Sequence, residues 1–129
     1  MTDRQRIAPL SKFEEEIGFT RALRVGDRIL VSGTTANLPD RSVPQDAGDQ
    51  ADLIFTEIVR HIEELGGTAE HVVRVRMFVT DIAYADAVSA AFARAMKPAR
   101  PTGTLVAITA LYRPEWKVEI EAEAVVPSV

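Results

Sequence analysis

The run Lys117-Val118-Glu119-Ile120-Glu121-Ala122-Glu123-Ala124 alternates apolar and acidic side chains from Val118 onward. Successive side chains of a strand point to opposite faces, so Val118, Ile120, Ala122 and Ala124 share one face and Glu119, Glu121 and Glu123 the other. The apolar face calls for a packed layer. The acidic face calls for cations or water, because crowded carboxylates repel. A second run supplies the cations. Val72 to Val79 alternates Val73, Val75, Met77 and Val79 against Arg74, Arg76, Phe78 and Thr80. Both runs read as strands of one sheet, with Arg74 and Arg76 on its acidic face.

Working outward, Phe19 to Val25, the turn Gly26-Asp27 and Arg28 to Ser32 read as a β-hairpin closing at Gly33. Residues 35 to 45, with Pro39, Asp40 and Pro44, read as a loop. Ala47, Ala51, Ile54, Phe55, Ile58, Ile62 and Leu65 recur at helical spacing between Asp46 and Leu65, and Gly66-Gly67 supplies the stop. Asp81 caps a second helix with the stripe Val88, Phe92, Ala95 and Met96, which Pro98 and Pro101 end. Gly103 to Leu111 and Lys117 to Val126 complete the chain as β segments. The order ββαβαββ predicts an α+β fold, a mixed β-sheet with two helices packed on one face. Residues 1 to 18, polar and carrying Pro9 and Glu14-Glu15-Glu16, read as a flexible or peripheral lead-in or a short pre-strand segment. The 129 residues fit a single domain.

Composition excludes several chemistries. The chain has no cysteine, which removes disulfides, thiol nucleophiles and thiolate metal ligands. His61 and His71 lack metal-ligand spacing, and neither a phosphate-binding glycine loop nor a Gly-x-Ser-x-Gly elbow is present, so no metal and no cofactor is expected. A formal charge of -4 counts against nucleic acid as a partner. No apolar run approaches membrane-spanning length, and a cytoplasmic protein without a membrane partner is expected. Phe78, Leu105, Val106 and Ile108 give the sheet more apolar surface than one helix layer covers, which predicts burial by a symmetric partner.

Four stretches together resemble the Rid (reactive-intermediate deaminase, YjgF-type) family: Val31-Ser32-Gly33, Gln50-Ala51, Val75-Arg76-Met77-Phe78-Val79-Thr80-Asp81 and Lys117-Val118-Glu119-Ile120-Glu121-Ala122. In order and spacing they cover about residues 18 to 126. The resemblance implies a chorismate-mutase-like fold and a homotrimer whose sheets form a central barrel, with small-molecule clefts between subunits. It also implies hydrolysis of imines and enamines released by pyridoxal-phosphate enzymes, with an arginine clamping the substrate carboxylate and a glutamate of the last strand positioning water.

Glu119 holds the place of that glutamate and is the candidate catalytic residue. The arginine's place falls on Gly103 when Val106, Ile108 and Leu111 are aligned with the family's apolar positions. Pro98-Ala99-Arg100 looks like the family's Pro-Ala-Arg, but using Arg100 requires an insertion before Glu119. A divergent member without the guanidinium clamp is implied, and with it a less polar cleft and a weaker case for the archetypal activity. The family's tyrosine falls on Phe19 when the stretch is anchored on Gly26 and on Thr20 when it is anchored on Gly18. Phe19, Ser32, Gly33, Arg76, Gly103, Thr104 and Leu105 are the candidate substrate-binding residues. Arg76 either faces the cleft as an anion site or pairs with Glu121 or Glu123. A second functional reading is a non-catalytic small-ligand sensor or regulatory binding module. A third, endoribonuclease activity, is disfavoured by the net acidity and the lack of a histidine pair.

Overall fold

A computed structural model describes residues 3–127. Its elements in chain order are β1 (Arg4–Arg6), α1 (Lys12–Ile17), β2 (Ala22–Val25), β3 (Arg28–Thr34), α2 (Ala47–Glu64), β4 (Val72–Val79), α3 (Ala85–Met96), β5 (Thr102–Ala107) and β6 (Val118–Val125). The strands form one sheet in the order β1-β2-β3-β6-β4-β5. All neighbours are antiparallel except β4 and β5, which run parallel and are joined through α3. β6, last in the chain, therefore lies in the middle of the sheet.

The α2 stripe forms because Asp46 accepts the Asp49 N–H at 3.0 Å, satisfying a free donor of the first turn. At the other end Gly66 takes φ +92°, and the Gly67 N–H returns to the Ile62 carbonyl at 2.9 Å. Between these ends Ile54, Phe55, Ile58 and Ile62 are fully buried, and α2 lies over β3 and β6 beside α3. Val88, Ala91 and Met96 of α3 join this core from above. From below come Ile29, Val31, Val75, Met77, Val79, Val118, Ile120, Ala122 and Ala124. The alternation of β6 thus resolves as expected, with its apolar side chains inward.

Three departures have local causes. Residues read as a lead-in are ordered at the sheet edge. Arg4–Arg6 pairs with β2, and Glu14 anchors α1 by accepting the Leu10 and Ser11 N–H groups at 2.8 and 3.0 Å. Val73 is not on the core face but 42% exposed. The register of β4 against β6 jumps from Val72–Ala124 to Arg74–Glu123, so Val73 is the extra residue of a bulge and Val72 turns inward in its place. Finally, β5 ends at Ala107, not Leu111, and residues 108 to 117 form a loop that leads into β6.

Candidate active site

The face of the sheet away from the helices carries rows that run across strands. Glu119, Phe78 and Val106 form one row; Glu121, Arg76 and Thr104 the next; Glu123, Arg74 and Thr102 the third. Arg76 Nη1 donates to Glu121 Oε1 at 3.0 Å, and Arg28 Nη2 to Glu123 Oε2 at 3.0 Å. Both pairs are partly exposed, so each contributes at most about 1 kcal/mol. Glu119 differs: among the described residues its carboxylate makes no ion pair and no hydrogen bond.

Its surroundings are set by a second bulge. Between Val31–Ala122 and Thr34–Ile120, β3 has Ser32 and Gly33 opposite Glu121 alone. The bulge brings Gly33 against Glu119, where a Cβ on the glycine would lie 2.5 Å from Glu119 Oε1. The missing side chain is what makes room for the carboxylate. Burial pushes the Glu119 pKa above the usual carboxylate range, the positive charge of Arg21 opposes that rise, and the nearby Glu121 adds to it. The start of β6 is held by Gln50, which is buried. Its Nε2 donates to the Pro44 and Glu115 carbonyls at 2.6 and 3.0 Å, and its Oε1 accepts the Lys117 N–H at 2.9 Å. A core glutamine thus sets where the strand bearing Glu119 begins.

The segment before β2 closes the other side. Ser32 Oγ donates to the Thr20 carbonyl at 2.6 Å and the Ser32 N–H to the Arg21 carbonyl at 2.9 Å, tying residues 20 and 21 to the bulge. Arg21 Nη1 donates to the Gly33 carbonyl at 2.9 Å, and its guanidinium carbon lies 4.9 Å from the centre of the Phe19 ring. Phe19 packs edge-on against Phe13, with ring centres 6.2 Å apart, and Phe13 packs edge-on against Tyr112 at 6.3 Å.

Of the sequence candidates, Gly33 lies against Glu119, Ser32 is its neighbour in the bulge, and Phe19 stacks on the Arg21 that holds the Gly33 carbonyl. The Ser32 hydroxyl hydrogen is committed to a backbone carbonyl. Arg76 is engaged by Glu121, one row away. Gly103 and Leu105 are on the wrong side for a cleft at Glu119: they stand opposite Val75 and Met77, and a Cβ on Gly103 would meet the Phe92 ring at 3.5 Å. On a parallel pair β5 can present only Thr102, Thr104 and Val106 to the acidic face. Arg100, left-handed at φ 50°, closes the end of α3 through its N–H to the Met96 carbonyl at 2.9 Å. Arg21 was not among the candidates. Its signal was its place two residues after Phe19 and just before β2, where its carbonyl accepts the Ser32 N–H, a relation visible only once the hairpin register is known.

The family model described as Endoribonuclease L-PSP matches residues 10–126. The chain belongs to this family, the Rid or YjgF-type family. An uncharacterized protein of Streptomyces coelicolor is 33% identical over 121 residues, 93% of this chain and 90% of the relative. A crystal structure from Mycobacterium tuberculosis, described as a member of the YjgF/YER057c/UK114 family, is 35% identical. It covers 96% of this chain and 100% of its own, with a TM-score of 0.88. A protein of unknown function from Pseudomonas aeruginosa is 29% identical, covering 98% and 94%, with a TM-score of 0.82. The ββαβαββ core with helices on one face is therefore the fold of this Rid-family chain. Among the described residues no helix is long and apolar enough to cross a membrane, and no cluster of potential metal ligands occurs.

Proposed function

We propose that this Rid-family chain assembles as a homotrimer and hydrolyses imines or enamines of small metabolites in clefts at Glu119. The observation that carries this reading is the state of Glu119. Of the β6 carboxylates on the open face it is the one without a cation partner among the described residues, and it is half-buried against Gly33 with its proton affinity raised by burial. A carboxylate of this kind takes a proton from water as the oxygen attacks the iminium carbon, and returns it to nitrogen. The C–O bond forms, the C–N bond breaks, and the products are a carbonyl compound and ammonia. Glu121 and Glu123 are already engaged by Arg76 and Arg28.

Exposed apolar side chains support the trimer. Val106 and Val125 on the open face are 42% and 37% exposed, and Val73 in the β4 bulge is also uncovered. A second copy covers such a surface economically. The ribonuclease reading finds less support, because it needs a second acid–base group beside Glu119. His61 lies in the core, and His71 Nδ1 accepts the Thr68 N–H.

Imines generated in situ from several amino acids test the reading, with ammonia or carbonyl release followed for wild type and Glu119→Ala. Wild-type turnover exceeding that of the variant by about a hundredfold or more is expected. Equal background rates would remove the catalytic reading, and ligand-dependent thermal stabilisation without turnover would make the protein a binding module. Light scattering at working concentration is expected to give three times the 14.1 kDa of one chain.

A further inference from the structure

A groove between the turn that follows β3 and α2 shares no lining residue with the Glu119 site. Its volume is about 340 Å³, within the range of about 300–1,000 Å³ that small-molecule sites occupy. Leu38, Pro39 and Leu53 give it an apolar lining, and Leu38 is 38% exposed. The turn is fixed before any ligand arrives. The Leu38 N–H donates to the Ser42 carbonyl at 2.9 Å and the Arg41 N–H to the Leu38 carbonyl at 2.8 Å, with Arg41 held at φ 71°, a left-handed value that favours glycine. Asn37 Oδ1 accepts from Arg113 Nη1 at 3.1 Å and from Trp116 Nε1 at 3.3 Å, which uses both lone pairs. Its Nδ2 keeps two hydrogens without an acceptor among the described residues. On α2, Glu57 and Arg60 line the same groove three residues apart. One contact of 3.3 Å joins them, from Arg60 Nη2 to Glu57 Oε1, and both side chains are partly exposed. A pair of this kind contributes little to stability and opens readily to a ligand.

We propose that this groove is a second ligand site, which takes a small zwitterion with an apolar body, a free aliphatic α-amino acid being the simplest. The charges decide the class. A lone anion or a lone cation would meet one like charge beside each opposite one, because the lining carries one carboxylate and one guanidinium. An α-amino acid bears its ammonium and carboxylate one carbon apart, so it lies head to tail against the Glu57–Arg60 pair and sets every charge beside its opposite. Asn37 Nδ2 supplies a further donor to the carboxylate. The aliphatic side chain covers Leu38, Pro39 and Leu53. Asn37 also ties the groove to the approach of β6, since it bonds Trp116, the sole tryptophan, three residues before Glu119. The site stands whether or not Glu119 is catalytic.

Calorimetry of the wild-type protein with three probes of one shape tests the class without any variant: L-leucine, isocaproate, which lacks the ammonium, and isoamylamine, which lacks the carboxylate. Leucine is expected to bind about fivefold or more tightly than either. Equal affinities, or no binding heat from leucine near its solubility limit, would overturn the proposal. Two surface variants then locate the site. Arg60→Met is expected to remove the preference for leucine over isoamylamine, and Glu57→Gln the preference over isocaproate. A merely structural role for the pair weakens all three probes alike and leaves the preferences standing, which would count against the assignment. Trp116 emission is expected to shift as leucine fills the groove, and binding heat without that shift would place the amino acid elsewhere and sink the proposal. Glu119→Ala is expected to bind leucine as wild type does. Loss of leucine binding in that variant would assign the ligand to the Glu119 site and remove the second one, whereas leucine binding in a protein without imine turnover would retire the hydrolytic reading alone.

Discussion

A methyl group at position 33 would collide with the tip of the Glu119 side chain and with little else, since the neighbours of that space are Glu119 Oε1, Cδ and Cγ. A carboxylate tip moves easily, so Gly33→Ala is expected to change stability by less than about 1 kcal/mol. The displaced carboxylate is expected to lower kcat at least about tenfold. Parallel melting and turnover measurements check this, and a large loss of stability would show that the bulge itself had been disrupted. His61 behaves in the opposite way. It is buried, both ring nitrogens lack partners among the described residues, and burial lowers its pKa, with Glu57 and Glu64 opposing that and Arg60 and Arg21 reinforcing it. Above pH about 6.5 the imidazole is neutral folded or unfolded, and no stability is lost. As pH falls below that value the unfolded chain binds a proton that the folded one resists, so stability declines. His61→Leu is expected to add about 1–2 kcal/mol at neutral pH and to flatten the decline. Urea midpoints at pH 7.5 and 5.5 for both proteins test it. Glu119 was legible in the sequence because alternation alone assigns its face. Arg21 was not, since its meaning depends on a bulge a dozen residues away that no periodicity announces.

Among the elements, β6 depends most on one side chain outside it. Gln50 binds carbonyls on either side of the sheet's approach and the first N–H before the strand, so Gln50→Leu leaves three backbone groups without partners. A loss of about 2–4 kcal/mol is expected, measured by chemical denaturation. Wild-type turnover per folded molecule would show that Gln50 does not set the position of Glu119. The strands and helices themselves could be read from pattern: α2 and β4 fall where spacing and alternation put them. The bulges could not. One displaced Val73 outward, because a single inserted residue reverses the alternation on its side of the insertion. The parallel partner of β4 was misjudged for a related reason: apolar positions align equally well one residue either way on an edge strand, and only the pairing of Gly103 with Val75 decides which face Thr104 takes.

At the scale of the whole molecule, the sheet has one face built for helices and one built for ions, flanked by uncovered valines. Composition announced the excess of apolar surface, whereas the symmetry of any partner is absent from a single chain's pattern. The sheet also ends in two unlike borders. β1, at one end, is Arg4-Gln5-Arg6, whose charges repel a foreign strand. β5, at the other, is Thr102-Gly103-Thr104-Leu105-Val106-Ala107, uncharged throughout and bordered by no further strand among the described residues. Thr104→Lys is expected to slow light-scattering growth in dilute, warmed samples, and an unchanged lag time would show that β5 is not the contact that seeds it. The uncharged β5 border carries an invitation to stack: strand-to-strand growth starts at β5, stops at β1, and favours chains joined through like ends. Whatever covers β5 therefore also protects the protein from precipitation.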